Sequence, residues 1–125
     1  MNKVINTNTA PAAIGPYSQG IDIGNLIFSS GQIPVNPSTG KIADGNIEEQ
    51  TKQVLENLKN VLLAGGSDLS KVIKTTVFIK DMNHFSKINE IYAQYFTEPY
   101  PVRSCVEVSR LPKDVLIEIE AVALK

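Results

Sequence analysis

The residue types able to do chemistry gather near the end of this chain. Pro101-Val102-Arg103-Ser104-Cys105-Val106-Glu107-Val108 alternates apolar and polar positions, and so does Val115-Leu116-Ile117-Glu118-Ile119-Glu120-Ala121-Val122. Successive strand residues point to opposite faces of a sheet. Each run is therefore predicted to be a strand, with Leu111-Pro112-Lys113-Asp114 as the turn of a hairpin between them. On that reading Ser104, Val106 and Val108 share a core face with Ile117, Ile119 and Ala121. Arg103, Cys105 and Glu107 take the other face with Glu118 and Glu120. A guanidinium presents paired donors that match a carboxylate. A neighbouring carboxylate can hold a water or move a proton. This combination reads as a pocket for a small anionic molecule.

The elements that must position those residues belong to one domain, 1–125. The chain has 125 residues, 42% of them hydrophobic and 20% charged, which suits one globular core. Net charge is −1, so there is no basic footprint for nucleic acid or for an anionic membrane surface. No apolar run is long enough to span a bilayer. The first residues, Met1-Asn2-Lys3-Val4-Ile5-Asn6, carry no apolar leader core. One cysteine and one histidine neither form an internal disulfide nor build a zinc site, and a cytoplasmic location is expected.

Residues 17–23 and 25–30 read as two strands around Gly24-Asn25, and 31–40 as a Pro- and Gly-punctuated loop. Asn46, with Glu49 three residues on, starts a helix whose apolar stripe is Ile47, Val54, Leu55, Leu58, Val61 and Leu62. Gly65-Gly66 ends it. Residues 72–79 are β-branched and read as a strand. Asp81 or Asn83 caps a second helix with the stripe Phe85, Ile88, Ile91, Tyr92, Tyr95 and Phe96, and Pro99-Tyr100-Pro101 closes it. Each helix has one apolar stripe, so each covers a sheet from one side. The opposite sheet face carries Leu116 and Val122 among its charges and is expected to pack against further copies of the chain. His84 is read as a surface residue near the second helix cap.

Several segments together resemble the YjgF-type reactive-intermediate deaminase (RidA) family: Ala12-Ala13-Ile14-Gly15-Pro16-Tyr17-Ser18-Gln19-Gly20, Ser30-Gly31-Gln32-Ile33-Pro34, Lys74-Thr75-Thr76-Val77-Phe78, Asn89-Glu90-Ile91-Tyr92, Arg103-Ser104-Cys105-Val106-Glu107-Val108 and Ile117-Glu118-Ile119-Glu120-Ala121. The resemblance implies an α+β, chorismate-mutase-like fold, a single mixed sheet with two helices on one face. It implies a homotrimer with the other sheet face inside and active sites between subunits. It also implies hydrolysis of 2-imino acids and their enamine tautomers, such as 2-iminobutanoate and 2-iminopropanoate, to 2-oxo acids and ammonia, without metal or organic cofactor. The family's ligand arginine maps onto Arg103 and its acidic residue onto Glu118. Tyr17, Ser30, Gly31, Asn89, Tyr92 and Cys105 match its substrate-binding positions. Cys105 has no histidine beside it in sequence and reads as pocket lining. The family commonly has Pro-Ala-Arg where this chain has Pro101-Val102-Arg103. A carboxylate-binding module without turnover is the alternative reading, ahead of an endoribonuclease or a holdase.

Overall fold

The computed structural model describes residues 2–125. Six strands form one mixed sheet: β1 (Lys3–Ile5), β2 (Gly20–Asp22), β3 (Leu26–Ser29), β4 (Val72–Ile79), β5 (Val102–Glu107) and β6 (Ile117–Leu124). Their spatial order is β1-β2-β3-β6-β4-β5. Strands β4 and β5 run parallel, and helix α2 (Phe85–Tyr95) connects them. Helix α1 (Ile47–Ala64) precedes β4.

Local chemistry explains the boundaries of α1. The Asn46 side chain accepts a hydrogen bond from the Glu49 amide at 3.1 Å, satisfying one of the donors a helix start leaves free. At the other end Gly66 takes φ +86°, a conformation that favours glycine. A Cβ on Gly65 would press into Ile5 and Ile27, so the helix end lies close against β1 and β3. The second helix starts differently from expectation. Asp81 caps a short 3-10 turn, Met82–His84, through the Asn83 amide. Then α2 begins at Phe85 with no side-chain cap, and His84, at its N-cap position, is partly buried.

Both helices cover one face. Ile27, Val77, Ile79, Ile117, Ile119 and Ala123 point inward from the strands and are fully buried. They join Val54, Leu55, Leu58, Val61 and Leu62 of α1 and Ile88, Ile91 and Tyr92 of α2 in one core cluster. Burying each such side chain contributes roughly 1.5–3 kcal/mol. Among the described residues no helix covers the opposite face, which is partly apolar: Phe28 and Val106 are each 43% exposed and Val102 66%.

The late hairpin does not exist. Strand β4 lies between β5 and β6, pairing with both. The segment between them, with Pro112–Asp114 as a 3-10 turn, is a crossover past β4 and not a two-strand turn. Registers Thr75↔Arg103 and Val77↔Cys105, with Thr75↔Ala121 and Val77↔Ile119, place Arg103, Cys105 and Glu107 on the helix side with Ile117, Ile119 and Ala121. Ser104 and Val106 share the open face with Glu118 and Glu120, and both are exposed instead of being core. Leu116 precedes β6 and packs against the core edge, so Val122 but not Leu116 belongs to the open face. Strand β1 was not anticipated, and β2 is shorter than the 17–23 reading, leaving Tyr17 in a loop.

The loop after β3 is held by α1. Buried Asn57 donates through Nδ2 to the Ile33 carbonyl at 3.0 Å and the Val35 carbonyl at 2.9 Å. Asn57→Ala strands both acceptors, and the expected loss is about 2–4 kcal/mol in a denaturant titration. A midpoint unchanged from wild type would show that the loop does not depend on this side chain.

Candidate active site

Arg103 is the second residue of β5, the edge strand beside α2. Its Nη1 donates to Asn89 Oδ1 at 2.7 Å. The guanidinium carbon lies 4.9 Å from the centre of the Tyr92 ring and 5.4 Å from that of Phe85, so two aromatic faces hold the cation. Tyr92 is fixed in turn by a 2.8 Å bond between its hydroxyl and that of buried Thr75. Burial raises the Tyr92 pKa, keeping the hydroxyl neutral. Among the described residues Arg103 joins no ion pair. A guanidinium has five donors, so one bond to Asn89 leaves a fork for an anion. Around it is a cavity of about 410 Å³ lined by Asn89, Tyr92, Ala93, Tyr100, Pro101 and Arg103.

Cys105 follows two residues on, half-buried against the core. Burial pushes its thiol pKa up, against the smaller lowering effect of Arg103. The thiolate is the nucleophilic form, so burial works against a nucleophilic role, and the side chain lines none of the described cavities, packing instead against the core.

Glu118 lies on the other face of the sheet. It lines a separate cavity of about 440 Å³ with Tyr17, Ser30, Gly31, Pro112 and Lys113. Ile14 and Ile33 complete that wall. Partial burial raises the Glu118 pKa, and the like charge of Glu120 raises it further. A carboxylate so placed accepts a proton more readily than an exposed one.

Why glycine stands at 31 follows from this contact. A side-chain carbon there would overlap the Glu118 carboxylate. Two backbone bonds, Gln32 N–H to the Ile119 carbonyl at 2.8 Å and Ile119 N–H to the Gln32 carbonyl at 3.1 Å, lock Gly31 beside β6. Ser30 spends its hydroxyl on the Ser18 carbonyl at 2.6 Å, and its amide donates to the Gln19 carbonyl at 2.9 Å. Its role is to hold the Tyr17 loop against the cavity. Gly31→Ala is expected to displace the Glu118 carboxylate and lower turnover about tenfold or more with the far-ultraviolet circular dichroism unchanged. Wild-type rates would show the contact to be incidental.

The eight site residues named from the sequence are thus divided by the sheet. Arg103, Asn89 and Tyr92 line one cavity, while Cys105, on the same face, packs against the core and lines neither. Tyr17, Ser30, Gly31 and Glu118 surround another, and the two share no lining residue. Glu120 shares the open face with Glu118 and lines neither cavity. Sequence reasoning missed Phe85 under Arg103, the Ile14 and Ile33 walls, and the part taken by Pro112 and Lys113, which looked like turn residues only. The i, i+4 spacing of Phe85 and Asn89, extended by Tyr92, is a signal that could have found the first, because such residues share a helix face.

Among the described residues no helix is long and apolar enough to cross a membrane, and no group of histidine, cysteine and acidic side chains is arranged to hold a metal.

Comparison with known proteins adds to the geometry. The Endoribonuclease L-PSP family profile matches residues 7–125. A RutC family protein of Pyrococcus horikoshii is 61% identical over 100% of this chain and 99% of its own. The 2-iminobutanoate/2-iminopropanoate deaminase of Escherichia coli (strain K12) is 53% identical over 100% of this chain and 99% of its own. The crystal structure of E. coli TdcF with bound serine superimposes with a TM-score of 0.94 at 51% identity, covering 98% of each chain. Kinship of this extent places the chain in the RidA/YjgF-type reactive-intermediate deaminase family, the one described by the Endoribonuclease L-PSP profile.

Proposed function

We propose that this protein hydrolyses short 2-imino acids and their enamine tautomers, of the 2-iminobutanoate and 2-iminopropanoate type, to 2-oxo acids and ammonia. Such species leave pyridoxal-phosphate enzymes that dehydrate threonine or serine. Arg103 binds the substrate carboxylate through the donors Asn89 leaves free. Glu118 holds the water. Once the imine nitrogen is protonated, water adds to C2 and gives a proton to Glu118. That proton passes to the nitrogen of the amino alcohol, ammonia leaves with the C–N bonding pair, and the C2 hydroxyl loses its proton to become the 2-oxo group.

One observation carries this reading: the cation and the raised-pKa carboxylate line two different cavities on opposite faces of one sheet. Neither half can both bind and hydrolyse. A homotrimer of chorismate-mutase-like subunits, with the partly apolar open face inside it, would bring Arg103 of one protomer to Glu118 of the next. The relative solved with bound serine supports an amino-acid-like ligand. The open face supports assembly, since Phe28, Val102 and Val106 are a costly surface to leave wet.

The test couples a threonine dehydratase to semicarbazide, which traps the free imine. Added protein is expected to cut the semicarbazone yield, and light scattering to give three times the 13.6 kDa chain mass. An unchanged yield from correctly assembled protein sinks the deaminase reading.

A further inference from the structure

Thr75 is a polar residue in an apolar row. It points to the helix side of β4 with Val77 and Ile79, stands opposite Ala121 of β6, and is 0% exposed, as Val77 and Ile79 are. A valine would fill that place without the cost of taking a hydroxyl out of water. Among the described residues the one partner of the Thr75 hydroxyl is that of Tyr92, at 2.8 Å.

Strand register shows what this bond reaches. Thr75 is the cross-strand partner of Arg103 on β5. Tyr92 spans both strands: its hydroxyl meets Thr75, and its ring centre lies 4.9 Å from the Arg103 guanidinium carbon. Phe96, one turn on, packs its ring against the same side chain with centres 4.4 Å apart. Asn89 and Phe85, the other side chains set against the guanidinium, also belong to α2. The aim of the Arg103 fork is therefore decided by where α2 sits over β4 and β5. Apolar contact is non-directional and lets a helix shift over a sheet. A hydrogen bond weakens steeply when misaligned. The Thr75–Tyr92 bond supplies the direction that the surrounding core lacks.

We propose that Thr75 is a positioning residue of the reaction. Its hydroxyl lies outside the lining of the Arg103 cavity and acts through Tyr92, holding the guanidinium fork toward the substrate carboxylate. The proposal rests on the deaminase reading and deepens it. Arg103 grips the carboxylate alike in the ground state and the transition state, so a misaimed fork is expected to raise KM and to leave kcat nearly unchanged.

Three variants test this: Thr75→Val, Thr75→Ser and the double variant Thr75→Val with Tyr92→Phe. Valine keeps the shape but strands the Tyr92 hydroxyl, so Thr75→Val is expected to melt at a lower temperature. Its KM for 2-iminopropanoate is expected to rise about tenfold or more, the scale on which a displaced binding group acts. Thr75→Ser retains the hydroxyl and should keep a KM close to wild type. The double variant separates positioning from stability. With both hydroxyls gone nothing is stranded, and the melting temperature should return toward wild type. KM should nevertheless stay high, because the directional tie is lost. Calorimetry with 2-oxobutanoate supplies a readout without turnover: its Kd should weaken by about the same factor in Thr75→Val and in the double variant. A double variant with wild-type KM and Kd overturns the positioning role and leaves the deaminase reading standing. Wild-type protein that binds 2-oxobutanoate but hydrolyses no imine overturns the deaminase reading, and the Kd comparison then decides for or against Thr75. Wild-type protein that does neither overturns both.

Discussion

Arg103→Lys is expected to fold and assemble normally and to lose about a hundred- to a thousandfold in kcat/KM for 2-iminopropanoate. The argument is geometric. Arginine can give Asn89 one donor and still present a planar fork to a carboxylate, while lysine offers a point charge that must choose between them. If a neighbouring protomer closes the site to water as proposed, losing such a charge-assisted contact costs about 2–5 kcal/mol, and about 1.4 kcal/mol is a factor of ten. Lysine also stacks less well over Tyr92 and Phe85. Arg103→Ala should lose at least as much. Wild-type kinetics in either variant would remove Arg103 from the site.

Glu118→Gln is expected to lower kcat by about a hundredfold or more, the usual worth of a positioned proton acceptor, and at the same time to raise the melting temperature of the unassembled chain at neutral pH. The second effect follows from the raised pKa. Below the ordinary glutamate value near 4.5 the group is protonated whether folded or not, and it costs the fold nothing. As pH rises through the higher folded value, the native state must release a proton it holds more tightly than the unfolded chain does, so stability is lost. Glutamine removes that loss and the repulsion from Glu120. The melting-temperature difference should vanish under acidic conditions, and the wild-type acid limb of kcat should lie above the range of an exposed glutamate. A variant both slower and less stable at neutral pH would point to a structural role for Glu118. Mixing Arg103→Ala and Glu118→Gln chains after joint unfolding and refolding should restore activity, because about one random interface in four pairs two intact halves. No rescue would place both residues in the same protomer's site.

Much of this arrangement was written in local pattern. Helix α1 announced itself through Asn46, Glu49, the apolar stripe and Gly65-Gly66 because each is a short-range signal. Strand β4 did so through its β-branched run. The face assignment of β5 failed for a definite reason. Alternation shows that Arg103 and Ser104 point opposite ways, but not which of them meets the helices. On an edge strand Val102, Ser104 and Val106 stay exposed, so apolar identity misleads. The hairpin failed because insertion of β4 between β5 and β6 is a long-range event that no turn residue records. Strand β1, three residues among polar neighbours, was too short to register. The family pattern named both groups of site residues, yet their division between two cavities is a property of register and was visible only in three dimensions.

The placement of Arg103 and Glu118 on opposite sides of the β-sheet has a kinetic corollary. A solitary chain holds Arg103 and Glu118 apart, one in each cavity, and on the proposed mechanism it should turn nothing over. Specific activity should therefore not be a constant of the preparation. On dilution through the dissociation range it should drop faster than protein concentration, recover on reconcentration, and resist dilution when substrate bridges the halves.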